Sequence, residues 1–148
     1  MSEPVLVVDD HLLLRMLLDD EPTSLRPGGA RVLTTGLWYH RLCRAVSSPI
    51  LEGALTRRIG GANRSVGAAA VRGVTALPDT IGLLSLRDLA WPMARLLDDG
   101  VRLNLLSLEA LAAAESRGAE LCLAAADENP QLLAAARGRS VSTRRIDS

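Results

Sequence analysis

The chain has 148 residues, with 17 basic and 17 acidic side chains and a formal net charge of zero. That length suits one domain with a real core. An apolar content of 48% excludes general disorder, and the neutral balance excludes a nucleic-acid binder that works through bulk charge.

Every basic residue is arginine, and phenylalanine is absent, so the core must be mostly Leu, Val and Ala. No apolar run approaches the ~20 residues of a membrane span. The amino terminus lacks a basic leader and a cleavage site. The expectation is a soluble, cytoplasmic protein without a membrane partner. Cys43 and Cys122 sit in apolar surroundings without metal-ligand spacing and read as buried, reduced thiols.

In chain order, residues 5–10 predict a strand. A continuous apolar run, Val-Leu-Val-Val, ends in Asp9 and Asp10, the pattern of a strand buried on both faces. A helix over 11–20 follows without a turn signal, and Pro22 stops it. A central strand feeding a helix puts Asp9 and Asp10 at the carboxyl edge of a parallel sheet, where open α/β sheets bind ligands. A loop over 22–30 leads to a short strand at 31–34. Thr35 or Gly36 then caps a helix running to Ser47.

Residues 48–78 are the least legible. Helices are expected over 51–59 and 66–74, with Gly60-Gly61 between them. Arg57, Arg58, Arg64 and Arg72 form a local basic excess, at a density ordinary for a solvated face. Residues 81–85 predict a third strand. Ser85 and Asp88 have capping-box spacing before a helix to Asp98, with Pro92 a kink or its true first turn. Ser107 caps a helix over 108–117, stopped by Gly118. A strand over 120–125 is followed by Asn129 as cap, Pro130 and a helix to Arg137. Residues 141–146 form a last, edge strand. Strands alternating with helices give a single α/β domain with a largely parallel sheet.

Each candidate polar residue also has an ordinary structural use. Asp10 reads as a helix cap. Glu109 lies in a first helical turn, where an acid gains from the dipole. Asp127 suits an Asx-type turn. His11 and His40 are lone imidazoles.

The stretch 5–11 resembles the opening of a response-regulator receiver domain. That chemistry also needs an acceptor aspartate some 45 residues on and a lysine; residues 48–62 hold no aspartate and the chain no lysine. A second resemblance covers more of the chain. Residues 105–127 carry an acid on a first helical turn (Glu109), a glycine stop (Gly118) and a strand running into Asp127. With the small helix and last strand that follow, they resemble the distal half of a PIN domain. The buried strand ending in Asp9 matches that family's start.

This resemblance implies an α/β/α sandwich with a mostly parallel sheet (PIN-like) over residues 1–148. It implies Asp9, Glu109 and Asp127 as catalytic acids and ligands of Mg²⁺ or Mn²⁺ at the carboxyl edge, hard oxygen donors that suit those ions. It further implies a metal-dependent endoribonuclease of VapC type, with RNA as substrate, an antitoxin protein as partner, and a homodimer. The family's second acid, on the helix after strand two, has no counterpart: residues 34–46 hold no acid, and Tyr39 and His40 are nearest. The rival reading is a catalytically inactive PIN-like binding or interaction protein.

Overall fold

A computed structural model describes residues 3–26, 29–47, 64–127 and 129–147, with the backbone alone at 64 and 65. Its elements run β1 (Val5–Val8), α1 (Asp10–Leu17), β2 (Arg31–Thr35), α2 (Gly36–Ser47), α3 (Arg64–Thr75), β3 (Ile81–Leu84), α4 (Leu86–Asp98), α5 (Leu105–Arg117), β4 (Glu120–Ala124), α6 (Pro130–Gly138) and β5 (Thr143–Ile146). The five strands form one sheet in the order β3-β2-β1-β4-β5, and every pairing is parallel.

β1 is the central strand because its residues are apolar on both sides. Val7 joins the apolar cluster built with α4, α5 and α6. Leu6 and Val8 join the opposite cluster with α1, α3 and most of the buried face of α2. Helices thus cover both faces of the sheet, the expected α/β/α layering. On α5 the buried run 107–114 is rich in alanine, and such small side chains let a helix lie close to the sheet.

The strand order places the site. From β1 the chain steps outward to β2 and β3, then returns to lay β4 on the other side of β1. The order reverses between β1 and β4. Such a switch point leaves a crevice at the carboxyl ends of the two strands. Asp9, Asp10 and His11 follow β1, and Asp127 follows β4.

Most predicted elements occur within a residue or two of their expected limits, and three local readings change. The cap of α1 is Asp9, whose carboxylate accepts from the Leu12 N–H; Asp10 is the first helical residue. The cap of α5 is Asn104, which accepts from the Ser107 N–H, so that helix begins three residues before the Leu108 expected. Pro92 lies inside α4 rather than in its first turn. Ser85 and Asp88 do pair at the start of α4, with the Ser85 N–H donating to the Asp88 carboxylate at 3.2 Å. The helix expected over 51–59, its Gly60-Gly61 break, and Arg57 and Arg58 lie outside the described residues. No helix among the described residues is long and apolar enough to cross a membrane.

Candidate metal centre

Asp9 is fully buried at the switch point. Its Oδ1 accepts from the Leu12 N–H at 2.9 Å, and its Oδ2 accepts from the Ala124 N–H at 2.9 Å. One carboxylate therefore caps α1 and ties β1 to the end of β4. Burial pushes its pKa up to about 6, against the lowering effect of those two bonds; the neighbouring Asp10 charge adds to the rise.

Glu109 is also buried, one turn into α5. Its Oε1 accepts from the Leu37 N–H at 2.9 Å, so the side chain reaches the first turn of α2. The positive end of a helix is a favourable place for this charge. Thr35 supplies a second bond there, its Oγ1 accepting from the Trp38 N–H. Thr34 closes the strand ends by donating to the Val8 carbonyl at 2.9 Å. Glu109 thus stands at the β2 side of β1, and Asp127 at the β4 side.

Asp10 and Asp127 meet through a residue that sequence reasoning did not single out. Arg41, from the second turn of α2, donates from Nε to Asp10 Oδ2 and from Nη2 to Asp10 Oδ1, both at 2.6 Å. The same Nη2 donates to Asp127 Oδ2 at 2.8 Å. These bonds hold its guanidinium pKa well above the usual arginine range. The His11 Nε2 lies 3.9 Å from Asp127 Oδ2. Among the described residues, Asp10, His11 and Asp127 offer ligand atoms that all lie within 4.8 Å of one another. Asp9 and Glu109 are not part of that group.

The two residues nearest the missing acid point elsewhere. Tyr39 donates its hydroxyl to the Val74 carbonyl, joining α2 to α3, and His40 is exposed. Beside Asp127, Asn129 caps α6 by accepting from the Leu132 N–H and donates to Ser107 Oγ at 3.0 Å, fixing the starts of α5 and α6 to each other. A cleft of about 220 Å³ opens next to Asp127, lined also by Ala125, Pro130, Leu133 and Arg145.

Of the three sequence-predicted acids, Asp127 meets Asp10 and His11, Asp9 is buried beside Asp10, and Glu109 turns to the start of α2. Their hard oxygens, with one imidazole, suit Mg²⁺ or Mn²⁺ in donor type. Each carboxylate oxygen has two lone pairs, so the backbone bonds to Asp9 and Glu109 leave capacity for a cation. Asp10, His11 and Asp127 fit such an ion in donor type and spacing, with the Arg41 guanidinium bonded to the same two carboxylates. Of the two cysteines, Cys122 is buried and Cys43 half-buried, and burial pushes the Cys122 thiol up to about 11.

These features define a parallel α/β fold with an acidic edge at its switch point. No protein-family model matches the chain, and no curated protein matches it. Among solved structures it is similar to a chain from the crystal structure of a member of the VapBC family of toxin–antitoxin systems, VapBC-5, from Mycobacterium tuberculosis. The likeness covers 97% of this chain and 98% of that one, with a TM-score of 0.53 and 23% sequence identity. It is a likeness of fold.

Proposed function

We propose that this chain is a PIN-like, VapC-type protein whose acidic edge binds Mg²⁺ or Mn²⁺ and cleaves RNA. The close group of Asp10, His11 and Asp127 at the switch point, with the buried Asp9 beside it, supports this reading most directly. The proposed ligands are Asp9, Glu109 and Asp127, joined by Asp10 and His11. A metal so held supplies a water of lowered pKa and a clamp on the phosphate being cleaved. The protein's own part is to fix these acids. Asp9 is locked by two backbone bonds, Glu109 by the start of α2, and Asp127 by the turn from Ala124, whose carbonyl accepts from the Asp127 N–H. The cleft beside Asp127 offers room for a segment of the strand being cut.

Two protein partners belong to the same proposal: an antitoxin protein, since the chain of similar fold comes from a VapBC toxin–antitoxin system, and a second copy of the chain. The exposed side of α4 supports the second, since Leu86, Trp91 and Leu97 all stand in solvent there, Trp91 at 73% exposure.

Arg41 favours a second reading, a PIN-like interaction protein without catalysis. Its guanidinium already neutralises part of the acidic edge, and α2 supplies no acid in its place. Incubation with structured RNA and Mn²⁺, beside an Asp9→Asn control, separates the two. Cleavage by the wild type that the variant lacks supports the nuclease. Equal inertness of the two, with no Mn²⁺ binding by calorimetry, eliminates it in favour of the interaction module.

A further inference from the structure

We propose that Arg41 acts as a built-in counter-cation of the acidic edge, bonded to the oxygens a divalent ion needs, so that metal enters only as the guanidinium withdraws. The inference rests on the metal-binding reading above and adds a control that reading does not contain. Its basis is the sharing of atoms. Both oxygens of Asp10 and Oδ2 of Asp127 are engaged by Arg41 at 2.6–2.8 Å. These two carboxylates, with His11, are the group whose ligand atoms lie close enough for one ion. The Arg41 Nη2 bridges Asp10 Oδ1 and Asp127 Oδ2, the place an ion joining those two carboxylates would take, and its charge repels a cation beside either of them.

The remaining geometry makes Arg41 movable and its helix not. α2 is anchored by Trp38, Leu42 and Val46, all buried. Its amino end is held by Glu109 and Thr35. The Arg41 side chain, by contrast, is 39% exposed, against 10% for Asp10. Withdrawal needs side-chain rotation into solvent and no backbone shift. The same bridge also spans the switch point, linking the start of α1 to the turn after β4. In the metal-free protein it offsets the repulsion between Asp10 and Asp127, a role a divalent cation takes over. Arg41 is thus a positioning residue that holds the edge together in the absence of metal and competes with it.

Calorimetric titration of Mn²⁺ alone into full-length wild type, Arg41→Gln and Arg41→Lys tests this, with circular dichroism confirming that each is folded. Arg41→Gln is expected to bind Mn²⁺ at least tenfold more tightly than wild type, with Arg41→Lys between them. Without metal, Arg41→Gln should melt at a lower temperature than wild type, and Mn²⁺ should raise its melting temperature by the larger amount. Measurable binding of equal or weaker affinity in Arg41→Gln overturns the competition while leaving the metal site in place. Absence of Mn²⁺ binding in all three proteins overturns the metal site itself, and the competition with it. If Arg41→Gln does not fold, Arg41→Lys carries the test: affinity no tighter than wild type overturns the competition.

Discussion

Replacing Asp9 by asparagine should change how stability depends on pH, and the size of the change follows from burial. In the folded chain the Asp9 carboxyl is pushed up to about 6 from an ordinary 3.8. Between those values the folded state binds more protons than the unfolded state, so stability falls as pH rises. The full fall is about 3 kcal/mol, from ~1.4 kcal/mol per pKa unit. Between about pH 4.5 and 7.5 it amounts to roughly 2 kcal/mol. Asparagine does not titrate and lacks this fall. It also loses one of the two acceptors for the Leu12 and Ala124 N–H groups, a loss of about 1–3 kcal/mol with little pH dependence. Urea unfolding in EDTA at the two pH values gives both terms. Relative to wild type, Asp9→Asn should gain about 2 kcal/mol on going to the higher pH. A difference constant to within about 0.5 kcal/mol would refute the burial-driven shift.

Other substitutions test the packing and the surfaces. Leu111→Ala removes a fully buried side chain of α5 from the cluster on one sheet face and should cost about 2–5 kcal/mol in urea unfolding. Arg144→Ala frees the Ser24 and Leu25 carbonyls and the Glu120 carboxylate that Arg144 ties to the edge strand β5; a loss of about 1–3 kcal/mol should appear as a lower melting temperature. Gly118→Ala forces a left-handed φ of 59° at the end of α5 onto a residue with a Cβ, at about 1 kcal/mol. Trp91→Arg should lower the mass of the proposed dimer to that of a monomer in sedimentation equilibrium with the circular dichroism spectrum unchanged; a dimer of unaltered mass would remove α4 from the proposed interface.

The parts of the fold legible in the sequence are those coded by local runs. The apolar stretch Val5–Val8 has no polar face to turn to solvent, so its central place follows directly. Asn129 before Pro130 marks the start of α6, and Gly118 the end of α5, because each satisfies backbone geometry at that spot. Caps were harder where two candidates compete. Asp9 and Asp10 are adjacent, and Asn104 and Ser107 are three apart, so one-residue choices of backbone angle decide which side chain faces the free N–H groups.

The candidate site was legible only in part for a related reason. The placement of Asp9 and Asp127 just after β1 and β4 follows from the order of elements, whereas Glu109 reaches the start of α2 only through a bond to Leu37, 72 residues away. Arg41 left no local trace, since its partners Asp10 and Asp127 lie 31 and 86 residues away in sequence. An arginine on a half-buried helix face is ordinary until β4 returns beside β1. One signal was present: α2 holds no acid to balance Arg41 and Arg44 within its own length.

The most direct test of the acidic edge is titration of ¹⁵N-labelled protein with Mn²⁺, read by amide line broadening. The amides of Asp9, Asp10, His11, Leu37 and Asp127 are expected to broaden first, while those at the opposite end of the sheet, such as Arg31 and Thr143, stay sharp. Broadening spread evenly over the surface, or none at all, would contradict metal binding at this edge.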